Sequence, residues 1–141
     1  IPMMTSGQVQ VEALRALHMK NIVVSAYTSG ETNAMVTAYL EEAGFNVLEN
    51  AGIEVPFEQA GNLSHQQVYN HTKRIVLRHD DCDGILLFGS GWRSLDAIQL
   101  LEQDLDLPVV HPVPARVWSV ERRLHINEPV DGFGRLLAEM P

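Results

Sequence analysis

The run Gly84-Ile85-Leu86-Leu87-Phe88 is apolar without interruption and closes on the glycine-rich turn Gly89-Ser90-Gly91. Strand side chains alternate between the two faces of a sheet, so a continuous apolar run requires cover on both. Central strands of a parallel sheet have that cover, because the crossover helices lie on both faces. The neighbouring segments fit the same plan. Asn21 to Ala26 reads as a second buried strand, Phe45 to Glu49 as a short third, and Pro108 to His111 as a fourth, ended by Pro112 and Pro114.

Helical spacing fills the intervals. Val9, Val11, Leu14 and Leu17 recur on one face of a first helix, for which Ser6 is the candidate N-cap. A second helix carries Met35, Val36, Tyr39 and Leu40 and stops at Gly44. Ser64 caps a third, whose inward positions are Val68, Ile75, Val76 and Leu77. Ser94 to Leu105 and Ala115 to Leu124 are the fourth and fifth, and one helical turn follows Gly132-Phe133-Gly134. Residues 50–63 hold Gly52, Pro56, Gly61 and Asn62 and read as loop. Strands alternating with helices imply right-handed βαβ units. The expectation is an α/β, flavodoxin-like parallel sheet of four strands in order 2-1-3-4, with helices on both faces.

Ligands of such sheets bind beyond the carboxyl ends of the strands. That rule selects Tyr27 to Gly30, Gly89 to Trp92, and His111 to Ala115. In the second segment two glycines permit close approach to the backbone, and amides at a helix start attract anions. Gly89-Ser90-Gly91 is therefore either a carboxylate cradle or a plain strand-to-helix turn. Tyr27-Thr28-Ser29-Gly30 offers hydroxyls for a second anionic group, or simply caps the next helix. Trp92 is placed to wall a pocket. His111 ends a strand on the ligand edge, where it serves as general base or as a satisfied structural histidine. Trp118 is read as core packing.

Other chemistry is disfavoured. The six histidines give no i, i+4 pair for a helical metal site, so no metal is expected. Cys82 lies in Asp80-Asp81-Cys82-Asp83, where carboxylates oppose thiolate formation, and is rejected as a nucleophile. The formal net charge of −8 argues against nucleic acid and anionic membranes as partners. The longest apolar runs are far below the ~20 residues of a transmembrane helix. One cysteine fits a reducing cytoplasm. Ile1-Pro2-Met3-Met4 lacks the pattern of a leader, and a start at Ile1 suggests a chain that begins within a longer protein or is processed.

The segment Asp83-Gly84-Ile85-Leu86-Leu87-Phe88-Gly89-Ser90-Gly91-Trp92-Arg93-Ser94-Leu95-Asp96-Ala97-Ile98 resembles the second catalytic motif of the Asp/Glu racemase superfamily. It is most similar to the branch of arylmalonate decarboxylase and maleate cis-trans isomerase. Ala13 to Leu17 before a strand ending in Ala26-Tyr27 is similar too, as are Leu40 to Phe45 before Gly52-Ile53, Leu107 to Val110, Trp118, and Gly132 to Leu136. The resemblance implies one lobe of a two-lobe fold with a site in the cleft between lobes. On that basis residues 1–18 link to a preceding lobe, 19–125 form the α/β lobe, and 126–141 return toward the other lobe.

The resemblance also implies function: cofactor-independent racemisation, isomerisation or decarboxylation of a small carboxylic or dicarboxylic acid, by proton transfer through an enediolate-type intermediate. Tyr27 matches a tyrosine that hydrogen-bonds a substrate carboxylate, and the Ser90 amide joins the anion-binding set. Thr28, Ser29, Gly91 and Trp92 complete the expected substrate-binding group. Gly89 occupies the place of the second catalytic cysteine, and Pro56 falls where the isomerase branch tends to place an asparagine. Ser90 or His111 is then the candidate replacement for the thiol, and a cysteine restored at 89 is expected to create or raise activity. The alternative is a carboxylate-binding relative without turnover. The exposed cleft face and the helix at residues 6–17 point to a homo-oligomer.

Overall fold

A computed structural model describes residues 1 and 3–141; Pro2, within the segment read for a leader, lies outside the described residues. The elements are α1 (Ser6–Ala16), β1 (Asn21–Ala26), α2 (Glu31–Glu42), β2 (Asn46–Gly52), α3 (His65–Val76), β3 (Gly84–Phe88), α4 (Leu95–Leu105), β4 (Val109–Val110), α5 (Pro112–Arg123) and α6 (Arg135–Glu139). A 3₁₀ segment, Phe57–Asn62, precedes α3. The four strands pair in parallel in the order β2-β1-β3-β4, as the apolar patterning requires.

Strand alternation divides the interior into two layers. Ile22, Val24, Leu86 and Val110 face a core that holds Val9, Leu14, Leu40, Trp118 and Leu136. Val23, Ile85, Leu87 and Val109 face the opposite core, with Val68, Ile75, Ile98 and Leu101. Thus α1, α2, α5 and α6 cover one face, while α3 and α4 cover the other. Burial of about 1.5–3 kcal/mol per large apolar side chain makes this two-sided cover the main source of stability.

Several boundaries differ from the sequence expectation for definable reasons. Thr5, not Ser6, caps α1, its side chain accepting the Gln8 N–H. Ser6 instead sits inside the helix, and its Oγ accepts from Gln10. Ser64 forms a full capping box with Gln67. Leu77, expected inside, is 65% exposed because α3 ends one residue before it. Strand β2 runs on to Gly52, which has no Cβ and therefore fits against the Thr28 carbonyl. Strand β4 is only two residues long, and Pro112 and Pro114 start α5 rather than merely ending the strand. The first turn of a helix needs no N–H from its residues, so proline is tolerated there.

Helix α1, expected to leave its apolar face for another lobe, buries Val9, Ala13 and Leu14 completely in this one. The C-terminal segment is also anchored here, through buried Leu136 and Leu137. Met35 and Tyr39 of α2 are exposed instead, at 72% and 46%.

Glu102 ties three elements together. Its Oε1 accepts the Val109 N–H at 2.9 Å and its Oε2 the Arg135 N–H at 2.8 Å. Burial pushes this carboxyl up, against the opposing pull of those two N–H groups. With the folded-state pKa above the unfolded value of 4.5, the unfolded chain ionises first, and stability falls as pH rises through that window. Glu102→Gln removes the titration and turns an amide NH₂ toward a backbone N–H. Urea denaturation should show a flatter stability profile above pH 4.5 and a loss of about 1–3 kcal/mol at low pH.

Candidate functional site

The register brings the expected residues together. β1 and β3 are neighbours with Ala26 opposite Phe88, so the next residues, Tyr27 and Gly89, leave the sheet side by side. The chain after β3 cannot enter a helix at once: Gly89 has φ +87°, in the left-handed region that glycine enters without penalty. A Cβ built on Gly89 would overlap the edge of the Tyr27 ring, and one on Gly91 would lie 2.8 Å from Tyr27 Oη. The tyrosine thus fills the space that side chains at both glycines would take. Its ring is held between Phe57 and Trp92, each with its centroid 5.8 Å away in a tilted arrangement.

Trp92 fixes the turn from inside. Its indole N–H donates to the Gly89 carbonyl at 3.2 Å, and its ring is buried in the α3–α4 core. The Trp92 carbonyl accepts the Ser94 N–H at 2.9 Å. Ser94 Oγ lies 2.7 Å from His111 Nε2. His111 Nδ1 accepts the Val113 N–H at 3.1 Å, making this histidine the N-cap of α5. Nδ1 is therefore unprotonated in the neutral ring, and Nε2–H donates to Ser94. Burial, reinforced by the Arg116 charge, lowers the His111 pKa to about 4.

Among the described residues, the amides of Ser90, Gly91, Trp92 and Arg93 have no hydrogen-bond acceptor. The Tyr27 hydroxyl has no partner among them either. At the neighbouring strand end the hydroxyls do not cap α2: its N-cap is Gly30, with no side-chain cap bond. Thr28 Oγ1 donates to Asn33 Oδ1 at 2.6 Å, and Ser29 is exposed. The result is a surface of free backbone donors and hydroxyls, walled by aromatic rings, on the carboxyl edge of the sheet.

Tyr27, Thr28, Ser29, Gly89, Ser90, Gly91 and Trp92 thus share one edge. His111 is near in the chain of contacts but is only 1% exposed, with both ring nitrogens engaged. It positions the turn and has no lone pair to offer a substrate. Cys82 lies at the amino end of β3, remote from this edge, and burial pushes its thiol up. Among the described residues no three His, Cys, Asp or Glu side chains converge as a metal site, and no helix is long and apolar enough to cross a membrane. Phe57, Asn33 and Ser94 were not singled out from the sequence. Phe57 sat in a segment read as loop. Ser94 carried a signal, its place at the start of α4, but nothing in the sequence pairs it with His111.

Two consequences are measurable. A folded-state pKa below the unfolded 6.5 means His111 favours folding while neutral, and stability is lost as pH falls from 6.5 toward 4, by up to about 3 kcal/mol. Asparagine keeps an N-cap acceptor without titrating, so urea unfolding of His111→Asn should lose that acid dependence. Gly89→Cys alone should destabilise the fold by about 2–4 kcal/mol, combining left-handed strain with displacement of the Tyr27 ring. Thermal melting of the variant checks this.

The relatives agree with this architecture. The family model for arylmalonate decarboxylase matches residues 1–137. The arylmalonate decarboxylase of Bordetella bronchiseptica is 28% identical over 145 residues, which cover 99% of this chain and 59% of that protein. A maleate isomerase of Nocardia farcinica (strain IFM 10152) is 26% identical, covering 96% of this chain and 54% of that one. A crystal structure of arylmalonate decarboxylase superposes with a TM-score of 0.88 at 26% identity, over 96% of this chain and 60% of the other. A mutant Nocardia farcinica maleate cis-trans isomerase with a covalently bound succinylcysteine intermediate gives 0.84 at 27% identity, over 95% and 55%. The chain spans 59% and 54% of the two curated relatives. By the extent of the family match and the shared fold, this chain belongs to the arylmalonate decarboxylase family.

Proposed function

We propose that this lobe binds the carboxylate of a small carboxylic or dicarboxylic acid and acts on it by cofactor-independent proton transfer, through an enediolate-type intermediate. The observation that carries the reading is the row of unpartnered amides from Ser90 to Arg93, in the turn against whose Gly91 the Tyr27 hydroxyl lies. Backbone N–H groups held in place before the substrate arrives stabilise the charge that develops on carboxylate oxygens, and they do so without reorganisation. Thr28 and Ser29 extend the polar edge toward a second carboxylate. The names of the relatives, a decarboxylase of arylmalonates and isomerases of maleate, support acids of this size. A preceding lobe closing over this edge would complete the cleft.

Gly89 favours a second reading, a carboxylate-binding relative without turnover, because the position has no side chain to move a proton. Proton–deuterium exchange at the α-carbon of malonate, malate, aspartate and arylmalonates, followed by NMR in D₂O, separates the two. Exchange of any one above the buffer rate supports the enzyme. Binding of malonate without exchange of any of them leaves the binding role alone.

The exposed face of α2 supports self-association. Met35, Val36, Tyr39, Leu40 and Phe88 line an apolar groove of about 290 Å³. Light scattering should find more than a monomer, and a monomer at all concentrations removes this part of the proposal. The lone free thiol, Cys82, fits a reducing compartment such as the cytoplasm.

A further inference from the structure

The Tyr27 hydroxyl, which the resemblance matches to a carboxylate-binding group, has no partner among the described residues and is free for a second role. Few protic side chains compete with it. Cys82 is at the wrong end of β3, with its thiol pushed up by burial. His111 is enclosed and committed at both nitrogens. Ser90 is exposed, and among the described residues no base contacts its hydroxyl.

Tyr27 differs in placement. Its ring edge fills the space that a side chain on Gly89 would take, and its Oη lies over Gly91. Phe57 and Trp92 hold the ring there from two sides. A phenol pinned over the anion-binding amides presents its O–H to whatever carbon is attached to the bound carboxylate. The glycines at 89 and 91 are explained by the same fact, since any Cβ at either position displaces the ring.

We propose that Tyr27 is the catalytic acid of this site, delivering its phenolic proton to the α-carbon of an enediolate held by the Ser90 to Arg93 amides. The role rests on the reading that this turn holds a carboxylate-derived anion. In the step, the π pair of the enediolate forms the new C–H bond as the phenolic O–H breaks, and the ordinary carboxylate is restored. The O–H pair stays on oxygen as phenolate, which takes a proton from water to complete the cycle. Run in reverse, the phenolate removes the α-proton.

Tyr27→Phe tests this, because it keeps the ring between Phe57 and Trp92 and removes only the proton. The readouts are thermal melting, malonate affinity by calorimetry, and kcat and KM for α-deuterium exchange of the acid that the wild type exchanges. The expected variant melts as the wild type does and binds malonate at most about tenfold more weakly, the share of one hydrogen bond. Its kcat falls about a hundredfold or more. A kcat near the wild-type value, with only KM raised, makes Tyr27 a binding group and overturns the proposal. A wild type that exchanges none of the acids removes the enzyme reading itself, and this proposal with it.

Discussion

The pairing of β1 with β3 is the constraint from which the site follows. Both strands are buried on both faces, so neither can be an edge, and the order β2-β1-β3-β4 places them adjacent at the centre. Parallel pairing in register sets Ala26 beside Phe88. Tyr27 and Gly89 then leave the sheet at the same level, one carrying a large ring and the other none. The ring needs the space above the neighbouring turn, and the turn must bend at once to reach α4. Only a residue without Cβ satisfies both demands at position 89.

A second set of contacts converts that bend into a fixed surface. The path runs from the Gly89 carbonyl to Trp92, from Trp92 to Ser94, from Ser94 to His111, and from His111 to the first turn of α5. Each link satisfies a polar group that would otherwise be buried without a partner, at a cost of about 1–3 kcal/mol apiece. His111 is central to this path because it is neutral: a charged imidazole in that position would have to be dissolved out of the core. The same histidine that is eligible as a general base on strand position alone is therefore a structural clamp for the turn after β3.

The fold was legible because its signal is long-range and redundant. Apolar runs at Ile22 to Val24 and Ile85 to Phe88, helical spacing between them, and the Gly44 stop all point to a parallel α/β sheet. The candidate site was chosen from the same topology. What stayed hidden depends on contacts between distant segments. Nothing in Pro56-Phe57 indicates that the ring will stack on Tyr27. Nothing in Ser94 indicates its partner seventeen residues later. The entry of the two prolines into α5 was obscured because proline signals both the end of a strand and the first turn of a helix. Helix α1 was given to another lobe because amphipathic spacing announces a buried face but not what buries it.

Under the proposed function, glycine at 89, where the resemblance places a catalytic cysteine, is compatible with an anion site, because the two parts of the chemistry have different physical sources. Charge stabilisation comes from amides whose direction is fixed by the bend at Gly89 and by the Trp92 lock, and a side chain at 89 contributes little to it. Proton delivery comes from whichever side chain is held over that bend. A Cβ at 89 would overlap the Tyr27 ring in its present position, so a side chain there requires the ring to shift. With the ring in place, the turn is both narrower and capped by an aromatic wall of Phe57, Tyr27 and Trp92. The side chain absent at 89 and the Tyr27 ring that fills its space are, on this geometry, parts of one arrangement.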